Sequence, residues 1–392
     1  MLINKNYLNY FYSLILVALI SGPAIPDIIM TLMSIITITH LYFNKKNYEL
    51  DLLYKLIFVY LIILFTTFFS NYFEDSFIGF SKNVRYFIYI YSFYLFFDIK
   101  FLKTYLFIIK LLILFITFDL FIQYNLGTDI FGFKPDLQVN KQRLNGPFDD
   151  EYIAGTYLYK ISIPLIGYLL YKQKYKLSFF FMFLCLIAII FTGERMSLLL
   201  FIFSLFLILI FLKKIKLLLF ISLLILIILI FSYFNFSQIQ FKMNEFFYAI
   251  IDFKNSGHGA HYLAAWTIFL ENPIFGSGFR TFREVCSEDF VNIALVNKTI
   301  APHCTTHPHN IYLEALSDTG IVGFLGLLFM IFVISNKVIK NKMFKNEYVG
   351  FVALFISIFW PISSNGNFFN NWNSCLNLTL IGILLINLKK TA

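Results

Sequence analysis

Little of this chain is charged. Asp, Glu, Lys and Arg make up 14% of its 392 residues, where a soluble domain carries about 25%. With 59% of the sequence hydrophobic and a mean hydropathy of +0.76, a soluble globular class is excluded. Walker, Rossmann and zincin signatures are missing, and so is a Ser-based nucleophile elbow. Their absence argues against an ATP-driven pump or a soluble-cofactor enzyme. Cysteine is sparse, with four residues, and arginine is confined to Arg85, Arg143, Arg195, Arg280 and Arg283.

Long apolar runs fill the rest. Leu198 to Leu212 and Leu217 to Phe234 are nearly free of charge, and roughly 20 apolar residues cross a bilayer. The hydrophobic runs predict an all-α polytopic membrane protein, one domain over 1–392. About twelve transmembrane spans fall near 7–22, 25–43, 50–70, 80–97, 104–123, 152–171, 177–192, 196–212, 215–234, 310–335, 347–363 and 373–388. The first is read as a retained span, because a second follows almost at once. Lysines cluster on one side, at Lys45/Lys46, Lys100/Lys103, Lys172/Lys174/Lys176, Lys213/Lys214/Lys216, Lys337 to Lys345 and Lys389/Lys390. By the positive-inside rule these loops and both termini are cytoplasmic. The net charge of +9 thus reports topology, and no nucleic-acid partner is expected.

Two outward segments interrupt the pattern: an outer loop at 124–151 and a large periplasmic loop at 236–309, between the ninth and tenth spans. Structureless loops of that length are uncommon unless functional. The second ends in His307-Pro308-His309-Asn310 at the mouth of the next span. Imidazole exchanges protons near neutral pH, so His309, with His307 beside it, is a candidate site. Gly320, Gly323 and Gly326 follow at spacings of three, which suits close packing of a regular helix against a neighbour.

The arginines fall on the outward side, against the positive-inside tendency. Guanidinium binds phosphate oxygens in a bidentate fork. Arg195 is the sharpest case, in a turn so short that its charge lies near bilayer depth. Arg143 precedes a Gly-Pro turn, and Arg280 and Arg283 follow the breaker-rich Asn272 to Phe279; each can bind phosphate or pair with neighbouring carboxylates. Lys160 and Asp119 lie within spans, where snorkelling is the simpler reading. Cys185 and Cys375 read as apolar fillers. Cys286 and Cys304 form a candidate disulfide, closing a loop of about 18 residues and constraining the unfolded chain by roughly 3 kcal/mol. Free thiols, or zinc held with His303 or His307, are the alternatives, but ligand-like spacing is absent and no metal is assigned.

At these residues the chain resembles the O-antigen ligase and polymerase superfamily of bacterial envelope glycan transferases. His309-Asn310, nine residues, then Gly320-x-x-Gly323 is similar to the ligase pattern. Thr192-Gly193-Glu194-Arg195 resembles the family's Thr-Gly-Ser-Arg turn, and Pro273 to Gly278 its Pro-Leu-Phe-Gly-x-Gly element. Arg143 to Gly155 is the loosest match. Where many members carry an arginine about four residues before the tryptophan, this chain has His261 and Tyr262 before Trp266, so an arginine of the donor site is either missing or supplied by Arg280 or Arg283.

The resemblance implies a GT-C-like fold in the bacterial inner membrane and an inverting, metal-independent transfer with no cofactor. The donor would be an undecaprenyl-pyrophosphate-linked glycan and the acceptor lipid A–core, completing lipopolysaccharide at the periplasmic face. His309 and Arg195 would be catalytic, with Arg143, Arg280, Arg283, His307 and Asn310 binding substrate. A polymerase would instead use a lipid-linked glycan acceptor, and a protein O-oligosaccharyltransferase a protein. A glycolipid flippase is the non-enzymatic alternative; it accounts for the arginines but leaves the long loop and histidines without a role.

Overall fold

The computed structural model describes residues 5–44, 50–135, 143–288, 304–363 and 366–388. Lys45, Lys46, Lys389, Lys390, His303, 136–142 of the first long loop and 289–303 of the second lie outside the described residues. Secondary structure among the described residues is helical throughout. In chain order the helices are α1 (Lys5–Ala18), α2 (Ala24–Asn44), α3 (Asp51–Thr67), α4 (Phe73–Phe96), α5 (Leu102–Leu126), α6 (Ala154–Tyr171), α7 (Tyr175–Thr192), α8 (Arg195–Phe211) and α9 (Ile215–Asn235). Three shorter helices follow, α10 (Ser237–Ile251), α11 (Gly257–Glu271) and α12 (Phe282–Glu288), before α13 (Ile311–Lys340), α14 (Val349–Ile358) and α15 (Asn371–Ile381).

Five of these segments are long and apolar enough to cross a bilayer, at α2, α5, α7, α9 and α13, so this is a multi-pass membrane protein. Helix α9 shows what surrounds the bundle: Leu219, Leu223 and Phe231 each keep more than half of their surface exposed. Such a face is costly in water and at home in lipid. The apolar runs overstate two spans. Of 347–363 only Val349–Ile358 is helical, because Pro361 disfavours helix in the residue before it. Of 373–388 the α-helix ends at Ile381 and tightens into a 3-10 turn.

Helix α6 is held hard against α14. A Cβ on Gly167 would come within 2.4 Å of the Gly350 Cα, so the two backbones touch where neither carries a side chain. The N-terminus of α6 is capped from another element. The Glu194 carboxylate, between α7 and α8, accepts from Gly155 N (2.6 Å), Thr156 N (2.9 Å), Thr156 Oγ1 (2.7 Å) and Ser197 Oγ (2.9 Å). The first N–H groups of a helix have no internal partner, and a carboxylate there also meets the positive end of the dipole. That cap joins the Thr192 to Arg195 turn to α6.

Helix α13 is broken. Gly320 sits at φ 62°, ψ −165°, so the regular helix expected through the glycine series does not form. Gly326 does make the anticipated close approach, with its Cβ position 3.2 Å from Ile62 of α3. Gly320 instead interrupts the ladder and frees backbone groups in the middle of the helix. The Pro273 to Gly278 segment satisfies them. Ser277 N donates to Ser317 O (2.9 Å), Gly278 N to Asp318 O (2.8 Å), Ile321 N to Pro273 O (2.9 Å) and Val322 N to Ile274 O (3.2 Å). This clasp is anchored in turn to the α3–α4 corner, where Ser70 Oγ donates to Ser277 O and Phe279 N donates to Ser76 Oγ.

Gly276 makes the clasp possible. It has φ +72°, and a Cβ there would lie 2.4 Å from the Asp318 carbonyl carbon and the Thr319 nitrogen. Gly22 also has positive φ, +96°, but nothing lies within 4 Å of its Cβ position. Gly276→Ala and Gly22→Ala therefore share about 1–2 kcal/mol of backbone strain, and only the first adds a clash. Heating detergent-solubilised protein and following the folded fraction should show Gly276→Ala much the less stable. Equal losses would mean that the close approach does not hold the fold together.

Candidate functional site

The break and its clasp fix the N-terminal half of α13, and that half carries the histidines. Asn310 is the N-cap of α13: its Oδ1 accepts from Tyr312 N (3.0 Å) and Leu313 N (3.1 Å), while its Nδ2 donates to Pro361 O (2.8 Å). Tyr312 donates its hydroxyl to Phe359 O (2.6 Å). The helix start is thus tied to the end of α14. The residue before the cap, His309, is held at φ 57°, a conformation that a non-glycine residue adopts only where its surroundings impose it.

Four imidazoles meet there. The His309 ring centroid lies 4.2 Å from that of His307, 5.3 Å from His258 and 5.5 Å from His261. His258 and His261 belong to α11, which packs against α13. His307 shares a hydrogen bond with Thr306 through Nδ1 (2.8 Å), and its buried Nε2 meets no described partner. Neither His258 nor His261 was singled out from the sequence as a site residue. The available signal was their spacing on a helical patch, one turn apart on one face. His261 faces His309.

The arginines separate into two groups. Arg195 and Arg143 bear electrostatically on each other and on His258, so these two stand with the histidines. Arg195 also contacts Glu245 of α10 at 3.5 Å, and Arg143 lies over the Tyr152 ring at 5.1 Å with its Nε buried and unpartnered. Arg280 belongs elsewhere. It has φ +64°, its amide donates to Asp318 Oδ2 (2.9 Å), and its charge faces Glu314 and Asp318 of α13. Arg283 is exposed on α12. Arg85, half-buried between α2 and α4, pairs with Asp27 at 2.8 Å. Cys286 is bonded to Cys304, which ties α12 to the segment leading into the histidines. Cys185 and Cys375 are buried free thiols. No group of three or more metal-ligand side chains with suitable geometry exists among the described residues.

Burial keeps the imidazoles neutral. It lowers His307 and His258 from the ordinary 6.5 to about 4, and His309 to about 2; the neighbouring histidines push the same way in all three, and Arg195 and Arg143 add to it at His258. A neutral imidazole accepts a proton, and an anion bound beside it would raise its proton affinity.

A cleft of about 1390 Å³ opens beside this site. Its lining combines exposed apolar residues, including Leu14, Ile25 and Leu111, with the polar Asp149, Asp150, Glu151, Arg280 and Asn373. Such a lining suits a ligand with a hydrocarbon part and a polar part. The cleft and the histidines meet at Gly366: a Cβ there would lie 2.6 Å from Asn373 Nδ2 and 3.8 Å from His307 Nε2.

A lateral cleft, two arginines and a cluster of four histidines thus stand close together in a multi-pass bundle. Residues 180–328 match the family model described as O-antigen ligase, which supports placing this segment in the O-antigen ligase and polymerase superfamily. The match takes in Arg195, the clasp and the His309 to Gly323 motif, and leaves Arg143 outside it. No curated protein gives a significant match.

If burial sets the protonation of this cluster, the ring carbons of His258, His307 and His309 should not titrate between pH 8 and 5. Carbon-labelled histidine in single-replacement variants reads this directly by NMR, and midpoints near the ordinary value of about 6.5 would contradict it.

Proposed function

We propose that this protein transfers an undecaprenyl-pyrophosphate-linked glycan to an acceptor sugar at the periplasmic face of the bacterial inner membrane, most specifically as an O-antigen ligase acting on lipid A–core. The observation that carries the reading is the meeting of His309, in its strained backbone conformation, with three further imidazoles and two arginines beside a lipid-facing cleft.

On this reading the acceptor hydroxyl attacks the anomeric carbon from the face opposite the pyrophosphate, which inverts that centre. His309 accepts the hydroxyl proton as the new bond forms. Negative charge develops on the departing pyrophosphate, where Arg195 and Arg143 stabilise it. The donor is already activated, so the scheme requires neither a cofactor nor a metal. Asn310 acts by capping α13 and so aiming His309. His307 lies between that ring and the cleft, and Arg280 in the lining of the cleft is placed to meet substrate. Arg283, exposed on α12, is the weakest of the proposed binding residues.

The twelve apolar segments and their alternation support both termini in the cytoplasm, with the Lys172 to Lys176 and Lys213 to Lys216 loops at the bundle end opposite the histidines. The His-Asn-x9-Gly-x-x-Gly spacing favours ligation over polymerisation.

Replacing His309 with Ala in a strain lacking the chromosomal copy should abolish long-chain lipopolysaccharide on a gel, with lipid-linked polymer accumulating and protein abundance unchanged. Core bearing a single repeat unit would indicate a polymerase instead, and an unchanged ladder would remove the assignment. Arg195→Lys retains charge but loses the fork, and transfer measured in membranes should fall by about tenfold or more; wild-type rates would show that bidentate contact is not needed.

A further inference from the structure

The mechanism above leaves one buried cation unused. Lys160, in α6, is 1% exposed, and its Nζ reaches only Asn373 Oδ1, at 3.5 Å, among the described residues. The Tyr159 ring is 6.0 Å away. Glu194 is the carboxylate whose field it feels, but that group is saturated by four donors at the α6 N-terminus. No carboxylate stands within ion-pair distance of it among the described residues. An ammonium group this deep costs several kcal/mol when unpaired, and a methionine of similar length would relieve that cost. The protein holds instead a buried amine with a long, neutral contact.

Its surroundings identify the missing partner. Lys160 lies five residues below Gly155, about 7.5 Å along the helix, and helical side chains lean toward the N-terminus. The lysine therefore rises toward the site. Asn373, which it touches, lines the cleft, and the Asn373 Nδ2 stands with His307 Nε2 around the empty Cβ position of Gly366. An anion entering the cleft can take the place of the Asn373 oxygen at Nζ. The apolar wall of the cleft selects for a hydrocarbon chain, and the first anionic group after such a chain is its phosphate. A sugar carboxylate would lie further from the lipid end.

We propose that Lys160 and Asn373 form a phosphate seat at the inner end of the cleft, which receives the lipid-proximal phosphate of the polyprenyl donor. This rests on the transferase reading above. Lys160 is then the third cation of the donor site, reached from inside the bundle while Arg143 and Arg195 approach from the loops. It supplies the charge that is missing where His261 and Tyr262 replace an arginine.

The test uses the full-length protein in zwitterionic nanodiscs, with undecaprenyl pyrophosphate as probe and native mass spectrometry as the measure of affinity. Wild type should bind it; Lys160→Gln should bind about tenfold more weakly or worse; Lys160→Arg should recover part of the loss. Asn373→Asp keeps the lysine but gives it a permanent carboxylate, and should weaken binding comparably, which preserves the test if Lys160→Gln does not fold. Equal affinity in wild type and both variants overturns the seat and leaves the transferase reading standing. A wild type that does not bind the probe overturns both. Phosphatidylglycerol binding as tightly, and lost in the same variants, would make this a bilayer-phospholipid seat and overturn the donor assignment.

Discussion

The fold turns on a rule of the bilayer: no backbone amide or carbonyl can be left without a partner where water is absent. The break of α13 at Gly320 violates helical continuity at such a depth, and the structure answers with a second segment, Pro273 to Gly278, that pairs with the freed groups on both sides of the break. The two halves of α13 are then separate rods, each held by different neighbours. Without the break, the N-terminal half would continue on the axis set by α3. With it, Asn310 can cap a helix start tied to the α14 end, and His309 is fixed in a conformation that a continuous helix would not impose.

The same logic governs the charges. Glu194 is buried, yet it is fully engaged as the cap of α6, so the turn that carries Arg195 cannot move without uncapping that helix. Arg85 and Asp27 neutralise one another within the bundle, and Arg280 is offset by Glu314 and Asp318. These groups are closed systems. Two groups near the histidines and Asn373 are not: Arg143 keeps a buried, unpartnered nitrogen and Lys160 reaches only an amide. Two incompletely partnered basic groups thus stand near the imidazoles, although Asp149, Asp150 and Glu151 line the cleft itself. This arrangement is poor for stability and suited to receiving an anion.

Much of this was legible in the residues. The apolar runs located the helices, because hydrophobic length in a membrane protein needs no partner to interpret it. The His309 and Arg195 motifs marked two elements that the structure places near each other. The errors share a cause. Gly320 looked like a packing glycine because spacing cannot reveal that residues some 45 positions earlier supply its missing hydrogen bonds. His258 and His261 were passed over because their importance depends on α11 lying against α13. Asn310 caps α13 with two backbone bonds, a role that its place beside His309 in the sequence does not reveal. Lys160 was read as a snorkelling residue because a sequence does not show which face of α6 is enclosed by α15.

The replacement of an arginine by His261 and Tyr262 bears on how the site balances its charge. Two arginines beside buried imidazoles already disfavour any further cation, and His258 feels both of them. A third guanidinium at position 261 would stand against His309 itself, 5.5 Å ring to ring in the present arrangement, and would make the imidazole harder still to protonate. With histidine at that position the repulsion on His309 is that of an imidazole and not of a permanent guanidinium charge, and Tyr262 shares a hydrogen bond with Asn310. The lost charge is then best restored where it does not face His309, on the far side of the phosphate. Lys160 occupies such a place, separated from the histidines by Asn373 and the gap at Gly366. Base strength at His309 and anion affinity in the cleft thereby draw on different residues, while an anion bound beside the imidazoles still raises their proton affinity.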